Sequence, residues 1–414
     1  MKTRHYFLWL LMLSTVSHPY KSEAEIVSPS GTVSYRSSSS VKINSISITE
    51  LYQRGNSFLN QGEYTKALEA YEKAIAIDAN YYYAWWGKGF ILQELGEHSE
   101  ALAAYERAIA INDEDPKLWL AKGYLLHQTQ QYRQAIAAYD RAVALKSNYD
   151  IAWYNRGTSF GQLKNYAAAI ESYDRAIVVN PDDAGFWYSR GNALVMLKRY
   201  NAAIKSYQRA IEIEPQHFAT WNKKGMMLHR LEKYAEAIEA YKQALKINPE
   251  YVLVWQNLGE ALYHQEQYAE AIAAFDRVMK VNGDDVDLWI YRGDAFYYLE
   301  QYIEAIASYD RAVEIDDNDV FVWIYRGNAF GKLEQYTQAL KSYDRALEID
   351  SKNAFAWFNR ALALSRLGKY NEAIDSYDKG LAIDPNNAQA IEQRQQTLKL
   401  KQRLYKRTVV SLAQ

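Results

Sequence analysis

A tyrosine returns every 34 residues along this chain. Tyr64, Tyr132, Tyr166, Tyr200, Tyr234, Tyr268, Tyr302, Tyr336 and Tyr370 mark the period, and His98 fills the one gap. No insertion or deletion breaks the spacing. Ten units follow, beginning at Ile48, Tyr82, Pro116, Asp150, Ala184, Phe218, Val252, Val286, Val320 and Ala354. At 414 residues, length alone would suggest two or three globular domains. A fixed period overrides that reading: each unit buries its apolar face against its neighbours, so the chain is one array.

Numbering each unit from 1 to 34 exposes two stripes. Position 4 is Trp85, Trp119, Trp153, Trp187, Trp221, Trp255, Trp289, Trp323 or Trp357, with Leu51 in the first unit. Position 8 is glycine from Gly55 through Gly327 and Ala361 in the last unit; position 11 is Leu or Phe. The spacing i, i+4, i+7 places these three on one side of a helix. Position 20 is alanine throughout, position 24 is Tyr or Phe275, and position 27 is mostly alanine, which marks a second helix. Glycine in a helix interior costs about 0.5–1 kcal/mol relative to alanine, so its recurrence needs a packing reason: close approach of two antiparallel helices. Pro181, Pro215, Pro249 and Pro385 at position 32 stop the second helix, and softer residues stand there in the other units.

This pattern resembles the tetratricopeptide repeat (TPR) over residues 48–387. The resemblance implies an all-α fold, a right-handed α-solenoid superhelix of tandem helix-turn-helix repeats whose first helices line a concave groove. It departs from the family at position 7, usually leucine there, which is Arg or Lys in nine units and Leu258 in the seventh.

Composition narrows the function. Fifty acidic residues nearly cancel 48 basic ones, which leaves no electrostatic footprint for a nucleic-acid backbone. With no cysteine, disulfides, thiolate metal sites and a cysteine nucleophile are excluded. Residues 1–24 pair a basic start with the apolar run Tyr6–Leu13 and Ser22-Glu23-Ala24, the pattern of a secretory signal and too short to span a bilayer. The plainer reading is an N-terminus with a few apolar residues. A signal would make the protein periplasmic or extracellular; without one it would be cytoplasmic. Residues 25–47 read as a polar linker, and 388–414 as a capping helix with a basic tail, six bases and no acid between Arg394 and Arg407.

No constellation supports catalysis. The seven histidines are scattered, and no metalloprotease, nucleophile-elbow or phosphate-loop string occurs. Gly87-Lys88-Gly89 only mimics a phosphate loop, since Gly89 is the position-8 glycine. No enzyme activity, cofactor or metal is expected. The resemblance implies a scaffold holding a peptide or protein segment; a regulatory arm for a separate enzyme subunit, or a structural spacer, are the alternatives. Position 5 is never basic, so the family's carboxylate clamp for C-terminal peptides cannot be built, and Asn155, Asn257 and Asn359 are too far apart for the asparagine ladder of glycosyltransferase-linked members.

Two expectations follow from the units themselves. Position 25 of one unit complements position 7 of the next: Glu72–Lys88, Glu106–Lys122, Asp140–Arg156, Asp174–Arg190, Gln208–Lys224, Asp276–Arg292, Asp310–Arg326 and Asp344–Arg360. The exception, Lys242–Leu258, loses both partners together, which predicts a ladder of inter-repeat ion pairs and a weak place around units six to eight, where Val278 also replaces the small residue at 27. Helical phase sets positions 2, 5, 9, 12 and 13 on the groove side. There the expected peptide contacts are Tyr52, Trp86, Phe90, Tyr124, Tyr154 and Tyr188, read as an exposed aromatic stripe, with Glu260 and Asp294 farther on for a basic residue.

Overall fold

A computed structural model describes residues 47–412, and the expected signal (1–24) and most of the linker lie outside the described residues. The described residues divide into two compact units, one ending at Thr220 and the other beginning at Trp221, each treated below by itself. Every described element is a helix. Positions 1–13 of each repeat form the first helix, from Ile48–Asn60 to Ala354–Arg366, and positions 17–30 form the second, from Tyr64–Ile77 to Tyr370–Ile383. The helix Ala388–Leu412 follows the tenth repeat.

The hairpin closes on the glycine. A Cβ built on Gly55, Gly191 or Gly327 would meet the ring of Tyr71, Tyr207 or Tyr343 at 2.4–2.5 Å. Position 24 therefore lies flat on position 8, and a side chain at position 8 would force the helices apart. The position-24 rings are buried, seated among the small residues at 20 and 27, and Tyr71 and Tyr207 are among the largest fully buried side chains of the described residues. The tenth repeat shows the compensation. Ala361 stands at position 8, and Gly380 replaces the alanine at 27, where a Cβ would strike the Phe358 ring at 2.3 Å.

Each turn between first and second helix puts position 15 in the left-handed region: Gly62, Gly96 and Gly368, but also Gln130, Lys164, Lys198, Glu232, Glu266, Glu300 and Glu334. The amide of position 15 bonds the carbonyl of 12 and that of 16 the carbonyl of 11, as with Glu334 N to Gly331 O and Gln335 N to Phe330 O. This is a Schellman stop, which satisfies orphan carbonyls at the cost of a positive φ. The opposite turn is capped by side chains in several repeats: Asp115, Asp183, Asp285, Asp319 and Asn353 each accept from the first amides of the next helix.

The expected ladder is present. Within the first unit Lys88, Lys122, Arg156 and Arg190 reach Glu72, Glu106, Asp140 and Asp174 at 2.5–2.8 Å. Within the second, Arg292, Arg326 and Arg360 reach Asp276, Asp310 and Asp344 at 2.5–2.8 Å. Arg394 on the terminal helix takes Asp378 at 2.5 Å, so that helix docks by the same rule.

Two details went unread in the sequence. Five of the position-7 arginines also donate to a serine at position 23 of their own repeat, Arg156 to Ser172, Arg190 to Ser206, Arg292 to Ser308, Arg326 to Ser342 and Arg360 to Ser376, at 2.7–2.9 Å, whereas Arg54 of the first repeat, which belongs to no ladder pair, stands with Ala70 at 23. Repeats with Lys88, Lys122, Lys224 or Leu258 carry alanine at 23. Reach also matches, the longer arginine meeting aspartate and the shorter lysine meeting glutamate. The guanidinium of Arg156, Arg292, Arg326 and Arg360 then lies over its repeat's tryptophan and, where position 11 is Phe, over that ring too, as Arg326 does over Trp323 and Phe330 at 5.5 and 4.8 Å.

The irregular repeat is visible. Its second helix, Tyr268–Met279, ends two residues early, and the chain leaves at Lys280–Asn282 with Val281 exposed. Leu258 and Val278 are buried in place of the ion pair and the small residue.

Candidate protein-binding face of the first helices

Successive first helices within a unit lie side by side, and polar side chains tie them together. Asn257 donates to Asn222 (3.1 Å), Asn359 to Asn328 (3.2 Å) and the Tyr154 hydroxyl meets Ser189 (3.3 Å). Position 9 has a further duty. Asn56, Asn192 and Asn328 accept the buried hydroxyls of Tyr71, Tyr207 and Tyr343 at 2.7–2.8 Å. Where position 9 is Tyr124 or Met226 instead, the hydroxyls of Tyr139 and Tyr241 are buried without a partner among the described residues. Burial holds these phenols well above their ordinary pKa.

The expected aromatic stripe is not an exposed surface. Trp86 is 3 % exposed, and Tyr52, Phe90 and Tyr188 are buried with it; Tyr124 and Tyr154 are half-buried. The cause is the neighbouring helix. Position 5 falls in the seam, so Tyr52 meets Tyr81 and Tyr83 at 5.7 Å, Tyr154 meets Phe186 at 5.1 Å, and Tyr188 meets His217 at 5.6 Å. These rings hold first helices to one another. They pave the wall.

Open apolar surface lies elsewhere on the same phase. Phe321 and Phe355, both at position 2, are 48 % and 69 % exposed, and Leu362 at position 9 is 36 % exposed. Tyr325 stands between them and the preceding repeat, its ring 6.4 Å from Phe321 and 6.1 Å from Tyr309. Sequence reading set position 2 on the groove side but left Phe321 and Phe355 off the stripe, although a phenylalanine there in two adjacent repeats was a signal.

Toward repeats 7 and 8 the face turns acidic. Asp294, at position 9, accepts from Tyr309 at 2.6 Å and from Tyr263 at 3.4 Å. Burial raises its carboxyl to about 6 despite both phenol donors. Glu260 and Asp287 are half-exposed on the same stripe. Beside them Tyr263, His264, Tyr268, Tyr291 and Tyr298 form a ring cluster, Tyr268 stacked on Tyr298 at 5.0 Å. No group of metal-ligating side chains occurs among the described residues, and none of the described helices is long and apolar enough to cross a membrane.

Paired helices closed by glycine and tyrosine, repeated at a fixed period, define a class of helical repeat proteins. The chain belongs to the tetratricopeptide repeat family: its models match residues 52–117, 154–218, 200–252, 228–291 and 354–387, and a further TPR model matches 123–164, 293–334 and 327–368. No curated protein matches the chain. Among solved structures it is similar to the C-terminal part of a TPR repeat-containing protein from Cytophaga hutchinsonii, at 19 % identity and a TM-score of 0.50, over 58 % of this chain and 98 % of that one. It is also similar to YrrB, described as a TPR protein with an unusual peptide-binding site, at 23 % identity and a TM-score of 0.42, over 48 % of this chain and 99 % of that one. A TPR protein from Parabacteroides merdae matches at 17 % identity and a TM-score of 0.43, over 60 % of this chain and 98 % of that one.

Proposed function

We propose that this protein is a non-catalytic scaffold that holds a protein segment along the first-helix face of its last repeats. The family supports a protein-interaction role, and TPR proteins are typically without catalysis of their own. The observation that carries the finer reading is the exposed Phe321, Phe355 and Leu362 in groove phase. The frame positions already supply packing, so large exposed apolar residues on adjacent repeats fit a contact surface. The buried aromatics of repeats 1 to 5 have structural work and need no ligand.

A photo-crosslinking residue at position 355, compared with one at the exposed Val178 of a second helix, tests this. A discrete crosslinked adduct from 355 and none from 178 is the expected result. Equal labelling from both positions would refute a dedicated face. We also propose export through residues 1–24, which N-terminal sequencing of the mature protein checks: a start at or near Glu25 supports it, and a retained Met1 removes it.

A further inference from the structure

Asp294 carries a charge that its place in the frame does not ask for. At the same position 9, Asn56, Asn192 and Asn328 accept the position-24 hydroxyl of their repeats at 2.7–2.8 Å. The bond from Tyr309 therefore needs an acceptor at 294 and no charge. The charge is also costly, because burial disfavours the ionised carboxyl even with two phenols donating to it. The half-buried arginines of this unit are matched, Arg292, Arg326 and Arg360 each by an aspartate. Asp294 is not matched: among the described residues no lysine, arginine or histidine pairs with it.

What surrounds this carboxylate is aromatic. Tyr309 donates to one oxygen and Tyr263 to the other, so each oxygen keeps acceptor capacity for a further donor. Tyr263 stands edge-on to Tyr291 and Tyr268 at 5.1 and 5.7 Å, with Tyr298 at 6.3 Å. Burial first, and the charge of Asp294 second, raise the phenols of Tyr263 and Tyr325, which puts both rings in the field of the carboxylate. Neutral phenols cannot balance that charge. The site is not sealed, since Asp294 is half-buried and Tyr298 is 55 % exposed. A hard divalent cation would need several more oxygen ligands, and no group of three metal-ligating side chains occurs among the described residues. One carboxylate among electron-rich rings suits an organic cation instead.

Resting on the binding face proposed above, we infer that Asp294, with Tyr263, Tyr298 and Tyr325, receives the ammonium group of a lysine side chain from the segment held there. The ammonium donates to the remaining lone pairs of the carboxylate, and its charge is attracted by the ring faces. The occupant is thereby specified twice: apolar side chains for Phe321, Phe355 and Leu362, and one lysine for Asp294 in the repeat before them.

Ligand-observed NMR on the full chain at about pH 8, where Asp294 is ionised, tests the inference with Nα-acetyl-lysine methylamide as the probe. Nα-acetyl-norleucine methylamide, which has the alkyl chain without the ammonium, is the control. The lysine probe is expected to bind with a dissociation constant on the order of 1 mM, and the control about tenfold or more weakly. Asp294→Asn keeps an acceptor for Tyr309, as Asn328 does for Tyr343, and should weaken the lysine probe about tenfold or more. Tyr298→Ala removes an exposed ring and should weaken it about two- to fivefold. Glu334→Gln removes an acid from a turn and should change nothing. Far-UV circular dichroism verifies that each variant is folded. No binding of the lysine probe, equal binding of the control, undiminished affinity in Asp294→Asn or Tyr298→Ala, or an equal loss in Glu334→Gln overturns the assignment. A protein adduct from position 355 with no lysine binding sinks this inference while the binding face stands. Lysine binding that passes every control, with no adduct from 355, keeps the ammonium site and removes the face.

Discussion

Repeats 2 to 5 and repeats 8 to 10 share one frame and differ in what covers their first helices. In the earlier group, Trp86, Tyr154 and Tyr188 turn into the seam against rings of the same or the following hairpin. In the later group, Ile324 and Phe358 close the seam, and Phe321 and Phe355 are left outside it. The lesson is that an aromatic residue's role in such an array depends on which neighbour covers its position. Position 5 is glue between helices, whereas position 2 is covered at Tyr83, which meets Tyr52, and is surface at Phe321 and Phe355.

The most direct way to break this contrast is truncation on each side. Trp86→Ala empties a buried seam and should cost about 3–5 kcal/mol. Phe355→Ala removes an exposed ring and should change stability by about 0.5 kcal/mol or less. Urea unfolding of both variants checks the ordering. Equal costs would mean that position 2 is part of the core after all.

The junctions give a smaller contrast. Arg326 is held by Asp310 and Ser342 and stacks on Trp323 and Phe330, with its side chain 21 % exposed. Arg326→Ala leaves the carboxylate and hydroxyl without that donor and should cost about 1–3 kcal/mol. Lys122 meets only Glu106, itself half-exposed, and stands over Trp119, so Lys122→Ala should cost under about 1 kcal/mol. Arg326→Lys should fall between, because one ammonium replaces a fork that serves two partners. A lysine variant as costly as the alanine one would assign the whole effect to the second arm.

How far these distinctions were legible follows from the same positions. The hairpin frame was legible because Gly at 8, Ala at 20 and Tyr at 24 recur under one constraint, and the ladder because Lys242 and Leu258 fail together. Beyond the first repeat, the link between Arg at 7 and Ser at 23 was equally present in the letters, but only known facing geometry makes a correlation between those positions worth seeking. The aromatic face was misread because helical phase gives a direction from one axis and is silent about the next helix. Tyr52 and Trp86 point toward the groove side and are covered there by their neighbours.

Asp294 offers a contrast that depends on pH. Its carboxyl is raised from the ordinary 3.8 to about 6 by burial, so the folded state favours the protonated form. The stability this confers is fully present below about pH 4 and is lost as pH rises through about 6. Asp294→Asn, which copies Asn328, should therefore be near neutral at pH 4 and more stable than wild type at pH 7.5, by about 1 kcal/mol or more. Thermal melts of both proteins across this range decide it. Parallel curves would place the titration elsewhere and return Asp294 to an ordinary surface acid.

The smallest effect concerns the turns, where the frame itself is unequal. Gly368 and Glu334 occupy the same position 15 in adjacent repeats, at φ of 74° and 59°. A left-handed conformation costs an L-residue about 1–2 kcal/mol, whereas glycine enters it freely and gives up about 0.5–1 kcal/mol in unfolded-chain entropy. The two terms oppose each other, so Glu334→Gly should stabilise by only about 0.5 kcal/mol. The reverse change sharpens the reading. No atom lies within 4 Å of a Cβ built on Gly368, so Gly368→Ala meets no clash, and any loss comes from the backbone alone. That loss should be similar in size and opposite in sign. If Gly368→Ala proves neutral while Glu334→Gly stabilises, the gain at 334 arises from removing a negative charge at the C-terminal end of the helix Val320–Lys332, where the macrodipole disfavours it, and not from φ. Glu334→Gln then separates the two causes, since it removes the charge and keeps the side chain in the left-handed region.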